Sequence, residues 1–167
     1  MKKIILNFIF SIFLLIGATG CTSSEPKLSQ MQIREITTKE LRGDYKTTFK
    51  ATMSILQDQN YIIKNASLDT GLISCEKIVE KETTTGDILM VLFVDSRYGS
   101  SSKVNISAVL TEMNKKTTKL RLNIQETVIE KSSFGTDETA VFVINKEIYD
   151  SLFNQIKVEI ERLKALR

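Results

Sequence analysis

The sequence predicts an α+β fold, a single domain in which an antiparallel sheet of four to five strands has two main helices packed on one face. Three observations lead to this prediction. Two segments repeat apolar residues with the period of a helix, other segments alternate apolar and polar residues like half-buried strands, and turn residues separate these segments. If residues 1–20 are removed, 147 residues remain, which suits one domain with its own core.

Two amphipathic helices form the helical part of this prediction. The first covers residues 44–60, where Asp44 is the expected N-cap and apolar residues recur at steps of four, four and three, at Tyr45, Phe49, Met53 and Leu56. The second runs from Lys146 to Leu166, with Asn145 as its expected cap. The apolar faces of both helices should join the sheet in one core that includes Phe49, Leu56, Leu122, Leu152 and Ile156.

Strands are predicted between and around the helices, at residues 31–38, 61–64, 72–82, 104–110 and 120–124. The first rests on Ile33, Ile36 and two β-favouring threonines. The last two alternate apolar and polar residues and predict a long antiparallel hairpin with one solvent-facing side. Residues 132–137 are predicted as a loop, and residues 141–144 as a short extended entry into the last helix.

The apolar run from Ile88 to Val94 has two interpretations. Periodicity cannot assign its secondary structure, because every position in it is apolar. It is either a buried core element or a segment that projects from the domain and contacts a membrane or a partner. In the second interpretation, the candidate contact residues are Ile88, Leu89, Leu92 and Phe93.

The N-terminus has the layout of a secretory signal peptide. Lys2 and Lys3 precede an apolar block of 13 residues, which is shorter than the about 20 residues that a membrane-spanning helix needs. The following sequence, Gly17-Ala18-Thr19-Gly20-Cys21, resembles the lipobox of bacterial lipoproteins. The resemblance implies a signal peptide over residues 1–20 and acylation of the Cys21 thiol with diacylglycerol. Residues 21–30 are then expected to form the lipidated Cys and a flexible tether, and residues 31–167 the domain.

Composition and motifs argue against catalysis. The chain has no histidine, which excludes histidine-dependent triads and the commonest zinc ligand. Phosphate-binding glycine loops, Cys-x-x-Cys pairs and Gly-x-Ser-x-Gly elbows are also absent from the sequence. We therefore expect no enzyme, and no catalytic, cofactor-binding or metal-binding residues. Cys75 is expected to be a small apolar core residue, with a reactive thiol as the alternative.

Charge argues against nucleic acid as a partner. Removal of Lys2 and Lys3 leaves 21 basic residues against 20 acidic ones. A dedicated nucleic-acid binder would carry a basic surplus.

From Met31 onward, the chain resembles a group of uncharacterised bacterial lipoproteins, in the segments 34–38, 55–63, 71–73 and 147–153. More distantly, its succession of helix, short strand, turn and Gly-Leu-Ile strand is similar to the repeated domains of the NlpB/BamC family of the outer-membrane β-barrel assembly machinery. Asn60 stands where glycine is common in both groups. The resemblance implies a BamC-like, helix-grip-like packing. By the same kind of resemblance, Thr22 after Cys21 implies the outer membrane, with the domain facing the periplasm.

The expected function is that of a lipid-anchored, non-catalytic envelope lipoprotein that acts as a binding or assembly module. Its partners would be the membrane, through the N-terminal lipid, and an envelope protein. The alternative is a lipid-anchored binder of a small apolar molecule or lipid, held in a pocket between sheet and helix. A filled core with an exposed apolar patch would favour the first function, and an enclosed cavity of about 300 Å³ or more would favour the second.

Overall fold

One antiparallel sheet of six strands and three helices make up the residues that the structure, a computed structural model, describes: 28–79, 101–132 and 135–166. The α+β class and the single antiparallel sheet are therefore confirmed, with one strand more than the four to five expected. In chain order the elements are α1 (Gln30–Thr37), β1 (Thr38–Arg42), α2 (Tyr45–Asp58), β2 (Ile62–Ser67), β3 (Leu72–Val79), β4 (Ser101–Asn114), β5 (Thr117–Ser132), β6 (Gly135–Phe142) and α3 (Lys146–Ala165).

The long strand β5 organises the sheet. On one side it pairs with β4, which continues the strand order through β3 to β2. On its other side it pairs first with β1, over Thr117–Arg121, and then with β6, over Gln125–Ser132. Two short strands therefore share one edge of β5.

The core lies between one face of the sheet and the helices. The strand register places apolar side chains of β3, β4 and β5 in rows on this face, such as Cys75, Ile106 and Ile124. These side chains join a single buried cluster with α2 and α3. The five predicted core residues belong to it, each at most 6% exposed, which confirms that part of the prediction: Phe49, Leu56, Leu122, Leu152 and Ile156.

The predicted strand over residues 31–38 is wrong. Helix α1 occupies this segment, and strand β1 begins only at Thr38. A capping box starts the helix: the Ser29 hydroxyl accepts a hydrogen bond from the Gln32 N–H at 3.3 Å, and the Ser29 N–H donates to the Gln32 side chain at 2.8 Å. This pair satisfies backbone donors at the helix start and outweighs the weak β preference of Ile and Thr. Gln30, which the prediction assigned to the tether, is therefore the first residue of this helix.

The predicted loop over residues 132–137 is also wrong for Ser132, which ends strand β5, and for residues 135–137, which begin strand β6. Residues 141 and 142, predicted as extended, end the same strand. The sequence pattern fails here because β6 is an edge strand whose Glu138, Thr139 and Ala140 are all exposed. Pairing with β5 satisfies the backbone whatever the side chains are, so no apolar alternation marks the strand.

Two of the residues that the structure describes have positive φ, and both lie at tight corners of the chain. Asn60, with φ of 61°, turns the chain from α2 into β2, and asparagine tolerates this left-handed conformation better than most residues. Gly71, with φ of 69°, enters β3. A Cβ there would lie 2.4 Å from the Leu110 carbonyl oxygen and 2.6 Å from the Tyr45 Oη, so any side chain would force these groups apart.

Tyr149 on α3 closes the interval between β1 and β6 on the β5 edge. The N–H of Ile124 donates to the Tyr149 Oη at 3.1 Å, and the Ile124 carbonyl oxygen accepts from the Val143 N–H at 3.0 Å. The Tyr149 side chain is 1% exposed, and burial raises the pKa of its phenol. The backbone N–H and carbonyl groups of Ile124, which lie between the ends of two neighbouring strands, thus both have hydrogen-bond partners in the interior.

We expect Tyr149→Phe to lower the free energy of unfolding by about 1–3 kcal/mol, because it leaves the buried Ile124 N–H without an acceptor. Tyr45→Phe is the matched control. The Tyr45 hydroxyl donates to the Leu68 carbonyl oxygen at an exposed position, where water can replace it. Chemical denaturation of both variants checks this, and an equal loss in both would contradict it.

Candidate binding surface on the open face of the sheet

The predicted site residues lie outside the described part of the chain. This applies to Cys21 and to the candidate contact residues Ile88, Leu89, Leu92 and Phe93. Lipidation at Cys21 and contact through the apolar run therefore stay predictions. The candidate surface that the structure shows lies on the side of the sheet opposite the core. The sequence does not predict its residues individually, although it indicates a solvent-facing side of the β4–β5 hairpin.

The open face is the side of the sheet opposite the core, where the described helices do not pack. Its side chains fall into cross-strand rows set by the register. One row crosses β2 to β6 through Ile62, Glu76, Asn105, Gln125 and Phe142. The next row crosses β2 to β5 through Asn65, Ser74, Ser107 and Asn123.

The central platform consists of five neutral polar residues in these rows, on β3, β4 and β5: Ser74, Asn105, Ser107, Asn123 and Gln125. All five are half-buried, and they help to line a shallow recess of about 310 Å³. Within the ranges that the structure describes, none of their side chains makes a hydrogen bond. Their full hydrogen-bonding capacity is therefore open to water or to a ligand.

Asparagine is an unusual choice for these positions. It is depleted in β-strands, where β-branched and aromatic residues are favoured. Nevertheless, Asn65, Asn105 and Asn123 lie inside β2, β4 and β5, all on the open face. A face that needed only solubility could use threonine at no cost in strand propensity, so the amide group itself is the distinctive feature.

The charges beside the platform neutralise each other. Glu76 Oε1 lies 2.7 Å from Lys64 Nζ, and Glu76 Oε2 lies 3.5 Å from Lys103 Nζ. The hydrogen bond from Lys64, followed by the charges of both lysines, lowers the pKa of the Glu76 carboxyl. Arg121 stands exposed one row beyond Asn123. The platform itself contains no ionisable group.

Two exposed apolar side chains stand at the ends of the first row. Ile62 on β2 is 63% exposed, and Phe142 on β6 is 67% exposed. Polar side chains of three strands separate them, so they do not form a contiguous apolar patch. The exposed patch expected of a protein-binding module is therefore not found in this row.

Two further recesses lie at the surface and carry charged residues. One, of about 590 Å³, runs between β1 and α3 and contains the Lys39–Asp150 ion pair at 3.7 Å. The other, of about 430 Å³, lies at the β4–β5 turn, where Lys115 and Lys116 approach Arg42 and Lys164. Lys164 is already engaged there, with the Arg42 carbonyl oxygen and with Glu161.

Neither a metal cluster nor a membrane-spanning helix occurs among the described residues. No group of three His, Cys, Asp or Glu residues in these ranges is arranged to hold a metal ion. The helices described are too short or too polar to cross a bilayer.

Cys75 is a core residue, as expected. Its side chain is 3% exposed, and burial raises the pKa of its thiol to about 12. The thiol therefore stays protonated at neutral pH, and the thiolate, which is the reactive form, is scarcely populated.

We expect Cys75 to resist alkylation in the folded protein and to react fully once the chain is denatured. The experiment uses Cys21→Ser, in which Cys75 is the remaining thiol of the two in the sequence. Adding Val158→Cys, at a position 69% exposed on α3, supplies a control that should react at once. Alkylation of Cys75 in native protein as fast as that of the control would contradict its burial.

Comparison with known proteins adds no relationship to these observations. No protein-family model matches the chain, and no curated protein matches it significantly. The resemblance to the bacterial lipoproteins and to the NlpB/BamC family therefore stays a prediction from the sequence.

Proposed function

We propose that this chain is a lipid-anchored, non-catalytic module of the cell envelope that binds its partner through the open face of the sheet. The observation that carries the proposal is the asymmetry of the sheet. Helices cover one face over a single buried apolar cluster, while the other face holds a central platform of polar side chains that make no hydrogen bonds within the described ranges. The signal-peptide layout and the lipobox-like sequence at Cys21 support a lipid anchor in the cell envelope. Thr22 after Cys21 favours the outer membrane, with the domain facing the periplasm.

The start of the described domain is compatible with an anchor nearby. Eight residues separate Cys21 from Gln30, the residue at which helix α1 begins. As a flexible chain, the predicted tether would have a root-mean-square reach of about 16 Å. The domain would then work close to the membrane that holds it.

The alternative function, an apolar ligand enclosed between sheet and helix, has less support. The space between these layers is occupied by side chains that are almost completely buried, among them Leu56, Ile73, Leu122 and Ile156. The recesses described above are open to solvent, and most of the residues that line them are polar or charged. Packing therefore favours binding at the surface over binding in the interior.

We expect the mature protein to begin at Cys21 and to carry a diacylglycerol group on that residue. Mass spectrometry of the N-terminal peptide, after expression of the full chain in a bacterial host, measures both features. Cys21→Ser should abolish acylation and leave the protein extractable without detergent. An unmodified Cys21 in membrane-extracted protein would refute the anchor.

The open face should be protected in its native setting. We expect Ser107→Cys, in the central platform, to react with a membrane-impermeant thiol reagent in purified protein and to react more slowly in isolated envelopes. Val158→Cys, on the solvent side of α3, should react equally in both. Equal reactivity of Ser107→Cys in the two preparations would mean that the open face has no partner there.

A further inference from the structure

We propose that the central platform binds a neutral, polyhydroxylated ligand, a glycan chain laid across β3, β4 and β5. The inference rests on the proposed function, because it assigns a ligand class to the same face. It follows from the side chains that the register brings together: Ser74, Asn105, Ser107, Asn123 and Gln125.

The hydrogen-bonding chemistry of the platform matches that of sugar hydroxyls. Each amide side chain offers two donors and a carbonyl acceptor, and each serine hydroxyl can donate once and accept twice. A sugar hydroxyl also donates and accepts. Since none of the five side chains has a hydrogen bond within the described residues, a ligand would not have to break existing ones.

The spacing of the platform suits a ligand with many regularly placed hydroxyls. Neighbouring strands lie about 4.8 Å apart, and residues that point to the same face recur about every 6.8 Å along a strand. The five side chains therefore form a two-row grid on three central strands. Because paired strands already hold the backbone of the grid in place, the conformational entropy lost when a ligand binds is confined to the side chains.

Charged ligands fit the platform poorly. A polyanion would need unpaired cations, but the neighbouring Lys64 and Lys103 both face the carboxylate of Glu76. Arg121 is a single exposed charge at the margin. A site for nucleic acid or another polyanion would require several such charges.

A protein partner is also a poorer match. Stable protein interfaces centre on buried aromatic, apolar or arginine anchors, with polar groups at the rim. Here the arrangement is reversed, because the centre is polar and the apolar side chains Ile62 and Phe142 stand at the ends of the row.

Phe142 offers an exposed aromatic ring on which a sugar ring could pack, beside the central platform. It lies directly across from Gln125 in the register and is largely exposed. The face of an aromatic ring carries partial negative charge, so it attracts the C–H groups on the face of a pyranose ring. A glycan chain crossing the platform would thus meet amides at its hydroxyls and an aromatic face at one end.

The test uses the detergent-purified full chain and three neutral probes: chitotetraose, cellotetraose and maltotetraose. Isothermal titration should detect saturable binding of at least one probe. The variant N105A/N123A/Q125A should weaken that binding about tenfold or more, because three hydrogen-bonding groups are lost. The matched control Q57A/N154A removes exposed amides from α2 and α3 and should bind like the parent. Thermal unfolding verifies that each variant is folded.

If the triple variant does not fold, Phe142→Ala provides the second measurement. This side chain is mostly exposed, so its truncation should weaken probe binding and leave the unfolding temperature nearly unchanged. Absence of binding to all three probes, or unchanged binding in both platform variants, would overturn the inference. Failure of Cys21 acylation would refute the anchor without affecting this result. Protection of Ser107→Cys in envelopes, together with no glycan binding, would overturn only the ligand class and point to a protein partner.

Discussion

The register of the β4–β5 hairpin is the constraint on which the rest of the structure depends. It sets Ile106 opposite Ile124 and Ala108 opposite Leu122 on the core face, and in the same step it sets Asn105 opposite Gln125 and Ser107 opposite Asn123 on the open face. A slip by one residue would turn every side chain to the other face. Burial of the apolar rows therefore positions the polar ones, and the core and the candidate site are two results of one alignment.

The parts of the fold that the sequence predicted correctly are those in which apolar residues recur on one side of a long segment. Helices α2 and α3 have both an apolar period and a capping side chain, and the predicted caps Asp44 and Asn145 accept backbone hydrogen bonds at 2.9 Å. Helix α1 was missed, although Ser29 and Gln32 have the spacing of a capping box. Strand β6 could not be predicted from an alternation of apolar and polar residues, because it forms through backbone pairing with β5.

The candidate site was predictable only in outline. Alternation indicates that one side of the hairpin meets solvent, but the rows on that side depend on the pairing of strands that are distant in sequence. The irregularity between Glu112 and Asn114 near the turn changes which residues face each other, and the sequence pattern gives no sign of it. The three asparagines inside strands were the available signal, since their residue type disagrees with the local structure.

Binding at a surface without ionisable groups depends little on pH and on salt concentration. The side chains of the central platform keep the same charge across the physiological pH range, and Debye screening has little effect on neutral hydrogen-bonding groups. The hydrogen bond from Lys64 and the charges of Lys64 and Lys103 lower the pKa of the nearest acid, Glu76, so its carboxylate stays ionised to a lower pH than that of a free glutamate. Such a surface would keep its affinity for a neutral ligand when salt or acidity changes, whereas the affinity of a charged surface would rise or fall.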